Sequence, residues 1–199
     1  MKKIAIMCAV TLLSFAVLWV LPVHGEEKIY DSVIRLHVLA NSDSEKDQNI
    51  KLCVKDSVAA LAASLTEDCE DIEAAEKKLS ENLDLIRDCA KAKLSELGCE
   101  LCVSVELGYE EYPKKSYEEI CFPAGRYRSL RVMIGEARGE NWWCVLFPQL
   151  CLGAATVKEA ESTFISVGFT PEQYKIITRT EDPQYKIRFK ILEALSGNG

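Results

Sequence analysis

Apolar and polar residues alternate over Val33-Ile-Arg-Leu-His-Val-Leu-Ala40, with Ile34, Leu36, Val38 and Ala40 on one side and Arg35, His37 and Leu39 on the other. A period of two is the pattern of a strand. The turn cluster Asn41-Ser42-Asp43-Ser44 follows, and Ser44 with Asp47 three residues on supplies a helix N-cap. The period then changes. Ile50, Val54, Val58, Leu61 and Leu65 form one helical stripe. Ile72, Ala75, Leu79, Leu83, Ile86, Ala90 and Leu94 form a second, predicting one long helix from Asp71 to Leu97 that stops at Gly98 as its C′ residue.

Three strand-like runs come next. Cys99 to Leu107 alternates apolar with polar residues, as a sheet with one wet face requires. Tyr117–Phe122 and Tyr127–Ile134 flank Phe122-Pro123-Ala124-Gly125, which fits a type I turn. Residues 135–155 break the pattern and predict a long connection, glycine-flanked and rich in aromatics; long ordered loops are usually functional. The tail turns helical again from Tyr185 to Leu195. This order predicts an α+β fold: a single domain, residues 26–199, built on a mostly antiparallel sheet with helices packed on one face.

The N-terminus changes the setting of that domain. Lys2-Lys3, an unbroken apolar run from Ile4 to Leu21, and small residues at Val23 and Gly25 make residues 1–25 a signal peptide. The alternative is an uncleaved anchor, since the run lies at the lower edge of a spanning helix. Either way the domain is exported, and the membrane is engaged only through this segment. Its removal leaves 22 basic and 31 acidic side chains, a net charge of −9. That excess excludes nucleic acid, whose phosphates need clustered Lys and Arg, and an anionic membrane surface. Residues 66–120 carry 16 of the acids against 7 bases, the solvated side of helices.

Eight of the nine cysteines lie beyond residue 25. Only Cys144 and Cys151, which bracket Val145-Leu-Phe-Pro-Gln-Leu150, have the look of a disulfide pair, closing and stiffening the loop. Cys99-Glu-Leu-Cys102 has redox or metal spacing, but the two cysteines face opposite ways on a strand. With His37 the one histidine past residue 25, zinc lacks ligands, and neither a metal nor another cofactor is expected. A Cys144–His37 dyad oriented by Asn41 or Asp43 would make an exported cysteine hydrolase acting on the envelope; the plainer reading packs His37 beside the adjacent loop. Gly135-Glu-Ala-Arg-Gly139 lacks the Lys-Ser/Thr of a phosphate-binding loop. The adjacent Trp142 and Trp143 point opposite ways on an extended backbone, as a binding anchor or as a core plug.

Several of these stretches resemble one family. Val33 to Ser44 with Asp47-Gln48 and Lys51-Leu52, Pro123-Ala-Gly-Arg-Tyr127 with Leu130-Arg-Val132, and Gly139-Glu-Asn-Trp-Trp-Cys-Val-Leu-Phe-Pro148 with Leu150-Cys151 are similar to stage II sporulation protein R. Tyr185 to Glu193 is similar to that family's last helix, while Gln149 stands where it usually has a second proline. The resemblance implies an exported developmental signal, not an enzyme. It would pass from forespore to mother cell through the space between their membranes. There it would activate the membrane-embedded aspartic protease that processes the sigma-E precursor. On that reading Asn141, Trp142, Trp143, Phe147 and Pro148, with His37, Asn41 and Asp43, form the contact surface, and a Cys144–Cys151 link preorganises it. A peptidoglycan- or ligand-binding module is the third reading.

Mass spectrometry of the exported protein checks the first of these expectations. Cleavage after Gly25 gives a mature chain that begins at Glu26; an intact N-terminus means a retained anchor.

Overall fold

The alternation at residues 33–40 becomes the strand around which the other elements are arranged. The computed structural model describes residues 27–117, 120–149 and 157–178. One helical turn, α1 (Glu27–Tyr30), leads into β1 (Ile34–Leu39), then helices α2 (Glu45–Thr66), α3 (Ile72–Glu81) and α4 (Leu83–Glu96). The chain continues through β2 (Val103–Tyr112), the short strands β3 (Lys115–Tyr117) and β4 (Ile120–Phe122), then β5 (Gly125–Ile134) and β6 (Asn141–Phe147). Helices α5 (Val157–Ser166) and α6 (Pro171–Thr178) follow. The main sheet has the order β2-β5-β1-β6, and β3 pairs with β4 as a separate hairpin. The β2–β5 and β1–β6 pairings are antiparallel and β1–β5 is parallel, so the fold is α+β with a mostly antiparallel sheet. A parallel neighbour needs a long crossover, which α2 to β2 supply.

Side-chain parity sorts the sheet into two faces. Ile34, Leu36 and Val38 join Leu130, Val132 and Ile134 in one core, closed by Val54 and Val58 of α2, Leu79 of α3, and Ile86 and Leu94 of α4. Burying each such side chain contributes about 1.5–3 kcal/mol. The opposite face holds a second cluster: Val33, Tyr112, Phe122, Tyr127 and Val145 meet Phe164, Phe169, Tyr174 and Ile177 of α5 and α6. Helices therefore pack on both faces, with α2, α3 and α4 sharing one.

Local signals were read correctly in several places and missed in others. Ser44 caps α2, accepting from the Asp47 amide at 3.2 Å. Gly98 ends α4 with φ of +65°, and the Cys99 amide reaches back to the Leu94 carbonyl. The expected single helix over 71–97 is two, broken at Asn82, whose side chain donates to the Lys78 carbonyl at 2.8 Å. The run Tyr117–Phe122 is divided between β3 and β4. The long connection expected over 135–155 is corrected most: Asn141–Phe147 is an ordered strand. Its alternation is hidden because both faces of β6 carry apolar residues, Cys144 and Leu146 in one core and Val145 in the other. Residues 1–26, Cys151 and the 185–195 helix lie outside the described residues. No helix among the described residues is long and apolar enough to cross a membrane.

The register of β6 is set by a clasp between the β1–α2 turn and the β5–β6 connection. Asn41 Oδ1 accepts from the Glu136 amide at 3.0 Å, while its Nδ2 donates to Asp47 at 2.9 Å. Asp43 accepts from the Glu140 amide at 2.7 Å, and Lys51 Nζ donates to the Glu140 carbonyl at 2.9 Å. The Gly139 amide donates to the Ala40 carbonyl at 3.0 Å. A Cβ at Gly139 would lie 2.3 Å from the Ser42 carbonyl oxygen, so only glycine permits the approach. Hydrogen bonds from Ser42, at 2.6 Å, and from Asn41 hold the Asp47 carboxyl below its usual range. Burial pulls the Lys51 ammonium down, opposed by Glu140 and Asp43.

Two predictions follow from the clasp. Gly139→Ala destabilises by about 1–3 kcal/mol in urea unfolding, whereas Gly108→Ala, where a Cβ meets nothing within 4 Å, changes stability by less than about 0.5 kcal/mol. A depressed folded-state pKa at Asp47 contributes stability that is present above the unfolded carboxyl range and lost as pH falls through the folded value. Asp47→Asn therefore gives a shallower fall of stability with acid below about pH 4.

Candidate functional site

The polar side of β1 points into the second face of the sheet, where it meets residues from the five other strands. Ser129, Arg35 and Val145 lie across β5, β1 and β6 in one row, and Arg131, His37 and Trp143 in the next. Both polar residues of β1 are enclosed. Arg35 is 0% exposed and His37 is 5% exposed.

The Arg35 guanidinium sits among four rings. Its carbon lies 4.4 Å from the centroid of Tyr112, 5.0 Å from Tyr127, 5.3 Å from Phe122 and 5.7 Å from Tyr117. Nε donates to the Cys144 carbonyl at 3.3 Å and Nη2 to the Tyr117 hydroxyl at 2.8 Å. The Tyr117 hydroxyl in turn donates to the Trp143 carbonyl at 2.9 Å. Desolvation of a cation costs several kcal/mol, and each desolvated cation–π contact returns about 2 kcal/mol, so the cage is of the right size to hold the charge.

His37 anchors a relay that crosses the sheet. Nδ1 lies 3.0 Å from both carboxylate oxygens of Glu110, a residue of β2, and donates to them. The span crosses β5 at Ser129, a side chain small enough to let the carboxylate over. Ser129 Oγ donates to Glu110 at 3.1 Å, which leaves the Tyr112 hydroxyl as the donor in its 2.7 Å contact with Ser129. Burial pushes the Tyr112 phenol well above its ordinary range, so it stays a donor. Burial likewise raises Tyr117, with Arg35 pulling the other way. Nε2 of His37 meets the Asn141 amide at 2.9 Å: it donates to Oδ1 as the cation, or accepts from the amide group as the neutral ring. Trp143 lies against the ring at 5.6 Å, with Lys115 Nζ 5.6 Å from the indole on its other contacts.

The expected contact residues fall into three groups. Trp142 is exposed (37%) on the helix side of β6, with Lys55 Nζ 4.8 Å from its ring, and Asn141 is exposed beside it. Trp143 is half-buried in the ring network, and Phe147 and Pro148 are buried. His37 belongs to the relay, Asn41 and Asp43 to the clasp. Cys144 is disulfide-bonded and pairs in register with Leu36, on the face opposite to His37, so the Cys144–His37 dyad is not assembled. Its expected partner, Cys151, lies outside the described residues. Cys99 packs against the first core and Cys102 is exposed, both as free thiols. No cluster of His, Cys, Asp or Glu among the described residues could hold a metal ion.

The sheet and its clasp lie within the part of the chain that is similar to other proteins. The sequence profile of stage II sporulation protein R (spore_II_R) matches residues 30–157, from the end of α1 into α5. The chain belongs to the stage II sporulation protein R family. A relative, the Stage II sporulation protein R of Bacillus subtilis (strain 168), is 36% identical over 137 residues, which is 67% of this chain and 61% of that protein. No solved structure matches. Membership makes this a protein of the second stage of sporulation. The stretches that resemble the family in sequence map onto β1 with the clasp, onto β5, and onto β6.

Arg35, Glu110, Tyr112, Tyr117 and Ser129 were not singled out from the sequence. One signal was available for Arg35, a charge set between Ile34 and Leu36 in an otherwise apolar run. For Glu110 the period of two continues past Leu107, but nothing local says that it reaches His37, 73 residues away.

Removing the imidazole leaves Glu110, whose side chain is 22% exposed, without its ring N–H donor. His37→Ala is expected to destabilise by about 2–4 kcal/mol, and His37→Gln by less because one donor is kept. Urea midpoints of the three proteins check the order.

Proposed function

We propose that this member of the stage II sporulation protein R family is an exported signal and not a catalyst. It is made in the forespore, delivered into the space between forespore and mother-cell membranes, and activates the membrane-embedded aspartic protease that processes the sigma-E precursor. The observation that carries this reading is the state of its one histidine beyond residue 25. Both ring nitrogens of His37 are committed, to Glu110 and to Asn141, and Cys144 on the neighbouring strand faces away and is disulfide-bonded. A hydrolase needs that imidazole free beside a nucleophile. What remains at the same strand is a rigid display: β6 is held by β1 on one side, by the clasp at its start, and by the Arg35 contact to its backbone. From it Trp142 projects, the side-chain type most enriched at binding hot spots.

Binding acts by favouring one state of the protease over another, and a preorganised strand loses little entropy in doing so. The test is co-expression of this protein, the protease and the precursor in a host that lacks all three. Trp142→Ala, which removes an exposed side chain outside both cores, is expected to lower precursor processing at least tenfold with an unchanged melting temperature. Full processing by that folded, exported variant would remove Trp142 from the contact. Cys144→Ser assayed with reductant present separates the classes: a hydrolase loses all activity, a signal keeps it.

A further inference from the structure

The hydrogen bonding of Arg35 is incomplete. Nε and Nη2 have acceptors, but Nη1, fully buried, has none among the described residues. The four rings offset the charge without supplying an acceptor, and arginine cannot shed its proton to escape the mismatch. The Nε edge of the fork is taken by the Cys144 carbonyl, so the free edge is the Nη1–Nη2 pair. A fork of two parallel N–H donors matches one group above others, a carboxylate. In the free protein the Nη2 position is filled by a neutral phenol oxygen, that of Tyr117.

We propose that the Nη1–Nη2 edge of Arg35 is a binding site for a single carboxylate of a partner polypeptide, and that the Tyr117 hydroxyl is the stand-in that this carboxylate displaces. The way in is short. Tyr117 is half-buried, and its strand β3 pairs with β4 and not with the main sheet, so the entry the proposal requires is rotation of this one side chain, with the four strands of the main sheet left in place. Two residues before it on the same side of β3, Lys115 is exposed and holds its ammonium near Trp143, which puts a second cation at the entrance. Displacing Tyr117 also releases the Trp143 carbonyl, so occupancy of the site is felt by β6. That the carboxylate belongs to a protein rests on the signalling reading; the site itself does not.

The test is direct and uses no protease. The side-chain guanidinium resonance of Arg35, assigned by its absence in Arg35→Lys, is followed while three hexapeptides are added to the folded protein at matched ionic strength. The first carries one glutamate and an amidated end, the second a free C-terminal carboxylate and no acidic side chain, the third neither. A saturable shift with the first or the second, and none with the third, supports the site and tells which carboxylate it takes. Tyr117→Phe keeps the ring but removes the competing oxygen, and is expected to tighten peptide binding at least threefold; a purely structural arginine gives no such gain. Absence of a shift with both carboxylate peptides, or an equal shift with the neutral one, overturns the site. Such a failure leaves the signalling reading standing, just as failed precursor processing would leave the site standing.

Discussion

A strand buried on both faces cannot carry a guanidinium and an imidazole unless other elements close over them and satisfy them, and β1 carries both. This constraint organises the second face of the sheet. Arg35 draws rings from β2, β3, β4 and β5 around one cation, which ties the separate hairpin to the main sheet through a single charged side chain. His37 requires an acceptor on one side and an amide on the other, and takes them from β2 and β6, the two outer strands. The sheet is thus stitched across its width on its polar face while its other face is sealed by aliphatic packing. The two faces differ in kind: the aliphatic one contributes area, the polar one specifies which groups must meet.

The same strand controls where β6 lies. As β1 ends, Asn41 and Asp43 take hold of the backbone that leads into β6, and Gly139 lets the two chain segments touch. Asn41 and Asp43, conspicuous enough in the sequence to suggest a contact surface, also serve as scaffolding here. The clasp fixes the register that puts Trp142 outward and Trp143 against His37. A surface built this way is ordered before any partner arrives, which is what the proposed signalling role would require.

The acidic helices complete the picture without entering the site. Their carboxylates line the outer surface of α3 and α4, on the far side of the sheet from Arg35 and His37. They give the outer face of these helices a solvated, negatively charged surface.

How much of this was written in the chain can be judged element by element. Periodicity identified β1, α2 and β5 and the cap at Ser44, because each depends on neighbours within a few residues. It failed at β6, where both faces are buried and alternation vanishes, and at Asn82, where one side chain competing for a backbone carbonyl breaks a helix whose apolar stripe continues unbroken. The family was legible from local blocks of residues around the same elements. The site was not. That Arg35 would be caged, that Glu110 would cross β5 to reach His37, and that Cys144 would face away from it follow from strand order and register, which are long-range choices. The sequence by itself determined the elements whose periodicity is local and the chemistry available. Only the tertiary structure decided which polar groups share a face, since a buried charge selects its partners by what can reach it in space and not by what is near it in the chain.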